Sequence, residues 1–176
     1  MHHGAEARRF PCVKFAPFGA FFWSDMRKLV QSCLLLLALS FGAIASDLHS
    51  LKLSADFQTA RESVHEAIEG AGFVVTAVIP VNQMLVRTSG DLGKGASPFS
   101  DAETIQFCSA KLAWQMVEEK VAQVALCPLS FTVYSQIGMP GSFIAWRSPG
   151  RQTPAGIRGD DLLRELVAKA GLLANQ

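Results

Sequence analysis

The sequence is short of the features that most readily announce a chemistry. Four cysteines occur among 176 residues, at positions 12, 33, 108 and 127, and no two form a Cys-x-x-Cys pair. That removes a thioredoxin-like dithiol and the common structural zinc spacings. Four histidines are present and none stands in His-x-x-x-His, so a helical metal pair is missing too. No Gly-x-Ser-x-Gly occurs, which argues against a nucleophile-elbow hydrolase. Charge of one sign is also lacking. Lys and Arg number 16 and Asp and Glu 15, a formal +1, which excludes a strongly basic nucleic-acid binder. With 49% hydrophobic and 18% charged residues, the chain is no charge-rich disordered polymer either.

The strongest local signal runs from Met26 to Ala45. Arg27 and Lys28 precede a mostly apolar stretch, Leu29 to Phe41, centred on Leu34-Leu35-Leu36-Leu37, and Ala43 and Ala45 supply the small-x-small pattern of a cleavage site. The apolar stretch is 13 residues long, short of the ~20 that a helix needs to cross a bilayer. The expectation is a secretory signal over 26–45, cut after Ala45, leaving no stable membrane span. Residues 1–25 are rich in Phe and Trp among Pro and Gly, without helical or strand period. They read as an upstream extension of a frame that starts at Met26. A rival is a long twin-arginine signal built on Arg8-Arg9.

The remaining body, 46–176, is one domain's worth of chain. It holds 11 Lys and Arg against 13 Asp and Glu, a formal −2, and keeps only Cys108 and Cys127. In an exported chain those two can form a disulfide.

Periodicity orders the body. Phe57, Ala60, Val64, Ala67, Ile68 and Ala71 recur at three-and-four spacing, predicting a helix over 54–72 with Asp56 as N-cap and Gly70 and Gly72 as stops. β-Branched Phe73 to Ile79 predicts a strand bounded by Pro80. Val81 to Thr88 suits a short helix, and the glycine-bearing 89–98 a loop, since no Gly-Lys-Ser/Thr follows to make it a phosphate cradle. A short strand is expected over 103–107, then a helix over 109–120 burying Leu112, Ala113, Met116 and Val117. Val121–Leu126 and Leu129–Ser135 look strand-like around Pro128, which implies an edge or a bulge. A turn at 138–141 leads to a hairpin partner over 142–147, and a last helix is expected over 160–173. The order implies an α+β domain: two layers, with a mixed or mainly antiparallel sheet and helices packed on one face.

Cys108 and Cys127 are the pair with chemical promise. Cys108 closes a strand and opens a helix, where amide dipoles favour a thiolate. A right-handed crossover between parallel strands would bring both sulfurs to one sheet edge, permitting a disulfide or redox pair. Antiparallel or non-adjacent strands would be expected to hold the Cα atoms beyond about 7 Å. Inert burial is the competing reading. His49 is placed on a frayed terminus and His65 on the first helix, and no metal site is expected. Glu118-Glu119 and Asp160-Asp161 are read as helix-end carboxylates. Tyr134, the only tyrosine, and Trp146 fall on candidate hairpin strands. They could line an apolar pocket with Arg147 at its mouth, or finish the core, which is the preferred reading.

The segment Ile105-Gln-Phe-Cys-Ser-Ala-Lys-Leu-Ala113, followed by Leu126-Cys-Pro-Leu-Ser-Phe-Thr-Val-Tyr134, resembles the domain of unknown function 302 family. A helix closing in Ala71-Gly72-Phe73 also fits that family's opening. The chain departs from many members in having Cys127-Pro128 rather than Pro-Cys, and Ser135 rather than an acidic residue after the tyrosine. The resemblance, over roughly 54–147, implies a small α+β domain, often dimeric, with no general activity attached and no cofactor specified. The expectation is therefore a periplasmic or secreted, non-enzymatic, homodimeric module. It would bind a small apolar or thiol-reactive ligand near Cys108, Cys127 and Tyr134, with Trp146 and Arg147 as further candidates. A cysteine-dependent redox or haem-related protein, and an interaction module with inert cysteines, are the alternatives.

Overall fold

A computed structural model describes residues 47–176. The leader, the signal-like stretch, Cys12, Cys33 and the Ala45 junction lie outside the described residues.

The chain alternates sheet and helix in the order β1 (Leu48–Leu53), α1 (Phe57–Glu69), β2 (Val74–Ile79), α2 (Val81–Thr88), β3 (Phe99–Cys108) and α3 (Ala110–Glu119). A 3₁₀ helix (Val121–Leu126), β4 (Leu129–Gln136), β5 (Ser142–Arg147) and α4 (Pro154–Leu173) complete it. The five strands form one sheet in the order β1-β5-β4-β3-β2. Every neighbouring pair is antiparallel. The fold is therefore α+β, with a wholly antiparallel sheet.

The alternation of a strand decides what each sheet face carries. On β4, Leu129, Phe131 and Val133 are buried, while Ser130, Thr132 and Tyr134 between them are half-exposed. On β5, Ser142, Ile144 and Trp146 are buried and the residues between them are not. The buried set meets Ala60, Val64, Ala67 and Ile68 of α1, Leu112 and Met116 of α3, and Leu163, Leu166, Val167 and Ala170 of α4. One face of the sheet is thus covered by three helices. The opposite face carries hydroxyls, aromatics and charge, as an antiparallel sheet permits.

Local chemistry sets the boundaries. The Asp56 carboxylate accepts from the Thr59 amide at 2.9 Å and caps α1, and Ser109 does the same for α3 through Leu112. Gly141, at φ +82°, makes the β4–β5 turn, and a Cβ there would collide with the Leu53 carbonyl oxygen. Only glycine fits that conformation without strain.

Four sequence expectations are corrected. β1 was not foreseen, and His49 lies on it rather than on a frayed end. Val121–Leu126 is a 3₁₀ helix, not a strand. Its half-buried residues, Gln123 and Leu126, are three apart, the period of a 3₁₀ helix rather than of a strand. β3 starts at Phe99, earlier than Glu103. α4 starts at Pro154, because Thr153 caps it through the Gly156 amide and proline suits the first turn. Asp160 and Asp161 therefore sit inside the helix, beyond its N-terminal end. Glu119, by contrast, accepts from the Ala155 amide at 2.7 Å and serves the start of α4 from a different helix.

Candidate functional site

The site is built where β3 ends and β4 begins. Because these neighbours run antiparallel, with Phe107 opposite Leu129, the last residue of β3 and the approach to β4 share one end of the sheet. Cys108 and Cys127 are joined there by a disulfide, with Cα atoms 6.3 Å apart and a sequence separation of 19. The parallel crossover on which the sequence reading made such a bond conditional is absent. Antiparallel neighbours bring the sulfurs together because the connection between them leaves and returns at the same sheet end. Both cysteines are half-buried. The bond encloses α3 and the 3₁₀ helix and so fixes the latter against the sheet.

That 3₁₀ helix walls a cleft of about 340 Å³. The floor is the open sheet face: Ser130 and Thr132 of β4, and Ala145 and Arg147 of β5. Ala125, Leu126 and Pro128 form one wall, and Ser148 and Pro149 border the other side, with Leu48 of β1 beside Arg147. The Thr132 hydroxyl shares a 2.9 Å hydrogen bond with that of Thr104 across the β3–β4 ladder. Arg147 is exposed and is the only charged side chain among the cleft's residues.

The structure does not gather all the sequence candidates into this place. Tyr134 lies on β4 five residues beyond Leu129, about 17 Å along the strand from the disulfide end. Its ring stacks on Phe143 at 5.0 Å and meets Phe99 edge-on at 5.4 Å, and the Lys52 ammonium stands 5.8 Å from the Phe143 ring centre. These groups form an aromatic strip across the far end of the open face. Trp146 borders the cleft, but its register opposite Phe131 puts its indole on the covered side. There it stacks on His49 at 5.3 Å and meets Phe131 edge-on at 6.4 Å. Tyr134 and Trp146 therefore occupy opposite faces, and a pocket lined by both does not exist. His65 sits on α1 with its Nε2 buried and unpartnered, far in sequence from the His49 stack. No group of three or more metal-ligating side chains occurs among the described residues.

Two groups of residues escaped the sequence reading. The cleft floor was signalled by the alternation in Leu129–Val133, which puts Ser130 and Thr132 opposite the core residues. The second group is an ion cluster behind the cleft. Asp160, fully buried, accepts from Arg151 at 2.7 Å and from Arg164 at 2.8 Å. Burial pushes its carboxyl pKa up, but the hydrogen bonds from Arg164 and Arg151 prevail and hold it at about 2. Arg151 also reaches Asp161 at 2.6 Å. The cluster pins the 148–153 segment, which borders the cleft, onto α4. Asp160 and Arg164 stand four apart, a helical pairing visible in the sequence once α4 is known to start at Pro154, but Arg151 joins them only through the course of the loop before the helix.

A two-layer α+β domain with one covered and one open sheet face, stapled at the sheet's end, is the class that fold and site define. The chain belongs to the family described as domain of unknown function DUF302, whose profile matches residues 49–139. A solved structure described as the crystal structure of uncharacterized conserved protein DUF302 from Bacillus stearothermophilus is similar to it. The identity is 20% and the TM-score 0.49, over 74% of this chain and 94% of that one. No curated protein matches the chain. Among the described residues no helix is long and apolar enough to cross a membrane.

Proposed function

We propose that the protein is an exported, homodimeric binding module that holds a small ligand with an apolar part in the cleft beside Cys108–Cys127 and performs no catalysis itself. The observation that carries this reading is the disulfide-held cleft. A structural disulfide suits an oxidising compartment, and a volume near 340 Å³ falls at the small end of the range for ligand pockets, about 300–1,000 Å³. Export rests further on the signal-like 26–45, with cleavage after Ala45 and a mature domain over 46–176. Binding rather than catalysis is favoured by the cleft's makeup. Leu48, Leu126, Pro128 and Ala145 meet hydroxyls and one arginine, with no carboxylate or imidazole beside them to move a proton. Self-association is supported by β2, an edge strand whose Val74, Val78 and Ile79 are exposed. Such an edge is open to pairing with another copy.

A redox role is the second reading, favoured by the half-exposure of both cysteines. Native mass spectrometry of the protein purified from the periplasm tests both. The proposal expects a chain beginning at Ser46, two hydrogens lighter than its reduced form, as a dimer with a retained small molecule. A chain found in the cytosol from Met1 with free thiols would overturn it. Catalysed thiol–disulfide exchange, with no small molecule bound, would favour the redox reading instead.

A further inference from the structure

We infer that the occupant of the cleft is an organic anion of modest length, its charged end paired with Arg147 and its aliphatic body against Leu126, Pro128 and Ala145. This deepens the binding reading above and rests on it.

The argument begins with the arginines. Six fall within the described residues, at 61, 87, 147, 151, 158 and 164. Four of them reach a carboxylate: Arg61 to Glu103 at 2.6 Å, Arg151 and Arg164 to Asp160 at 2.7 and 2.8 Å, and Arg158 to Glu119 at 3.7 Å. Arg87 and Arg147 have no carboxylate partner among the described residues. Arg87 is on the exposed side of α2 and borders no part of the cleft. Arg147 stands at the end of β5 on the open face, with Leu48 opposite it in the ladder.

No Asp or Glu borders the cleft, so nothing within it compensates the guanidinium. A planar fork of donors suits a carboxylate or a phosphate through two parallel hydrogen bonds. Ser130, on the same floor, has no hydrogen-bond partner for its hydroxyl among the described residues and adds a further donor. Leu126 and Pro128 on the wall, with Ala145 on the floor, offer an apolar surface of limited extent. A bare inorganic anion would leave that surface wet, and a neutral hydrocarbon would leave Arg147 unpaired. An anion with a short aliphatic tail satisfies both.

Carboxylates and phosphate monoesters share this chemistry, and the test separates them. The disulfide-intact protein is titrated with octanoate, octyl phosphate, 1-octanol, octyltrimethylammonium and inorganic phosphate. Affinity is followed by calorimetry, and location by the amide shifts of Thr132 and Ala145. Octanoate, octyl phosphate or both should bind at these amides, more tightly than 1-octanol, and the cation should not bind. Arg147→Gln should weaken the anions by about tenfold or more and leave 1-octanol unchanged. Arg87→Gln should change neither. The inference is overturned if 1-octanol or the cation matches the anions, if inorganic phosphate binds as tightly as octyl phosphate, or if Arg147→Gln has no effect. Those outcomes leave a ligand-binding cleft standing. Failure of every eight-carbon probe to move Thr132 or Ala145 would instead overturn the binding reading itself.

Discussion

Phe131 and Thr132 are adjacent in sequence and belong to different worlds. Phe131 is buried among Phe107, Trp146 and the helices. Thr132, one peptide on, faces away from them and bonds to Thr104 on the floor of a cleft. The covered face is specified by shape: Ile105, Phe107, Phe131, Val133 and Ile144 are almost wholly inaccessible, as close packing requires. The open face is specified by pairing, through a hydroxyl ladder, an aromatic strip and a cleft whose wall comes from elsewhere in the chain. The covered side therefore sets whether the domain folds, and the open side what it presents once folded.

Three comparisons probe that division, in descending order of their leading effect. Phe131→Ala empties a site between two rings and should cost about 3–5 kcal/mol in chemical denaturation. Thr132→Ala, on the opposite face, should cost about 1 kcal/mol, the scale of a single hydrogen bond. Equal losses at the two positions would refute the division. Replacing Cys108 and Cys127 together by alanine, or reducing them, opens a loop of 19-residue separation and should cost about 3 kcal/mol. Hydrogen exchange should accelerate first at Ala125 and Leu126, with Val64 and Ile105 following only on global unfolding. A uniform acceleration would mean that the bond serves the core and not the cleft wall.

The third comparison, with the smallest leading effect, concerns Asp160, the one fully buried charge among the described residues. Asp160→Asn takes the anion from between Arg151 and Arg164, and should cost about 1.5–3 kcal/mol, the range for hydrogen bonds to charged groups. Both arginines are about half-exposed and rehydrate, which keeps the loss below that of a fully buried pair. The folded carboxyl sits at about 2 against an ordinary 3.8. A depressed acid contributes its full stabilisation above the unfolded value and loses it as pH falls towards the folded one. The stability gap between wild type and Asp160→Asn should hold near pH 7 and shrink between about pH 4 and pH 2. A gap independent of pH would show that the loss comes from packing alone.

Much of this arrangement was legible in the residues. Helical spacing found the buried stripe of α1, and the strand-like 129–135 and 142–147 on either side of the turn at 138–141 found the hairpin. The Phe-Cys-Ser and Cys-Pro-Leu segments pointed to the family. What failed to show was whatever depends on pairing over distance. β1 is ordinary as a local string and becomes a strand because β5 offers its edge, with Leu51 and Leu53 opposite Ile144 and Ser142. The parallel or antiparallel sense of β3 and β4 is not encoded in either strand alone, and it decided how the two sulfurs met. The separation of Tyr134 from Trp146 was within reach. They are twelve residues apart across a turn, and only the hairpin register, which puts Tyr134 opposite Phe143 and Phe131 opposite Trp146, reveals that they point to opposite sides.

The pairing of β1 with β5 has a kinetic corollary. Leu48 finds its ladder partner in Arg147, so the first strand among the described residues has nothing to pair with until nearly the whole domain has emerged. Contacts of such long span slow the search for the native topology. A polypeptide made from its amino end must keep that strand waiting, and the sheet closes its final row only when β5 arrives. Moving Leu48–Leu53 to the carboxyl end by circular permutation would shorten the wait and should speed refolding without altering the finished sheet.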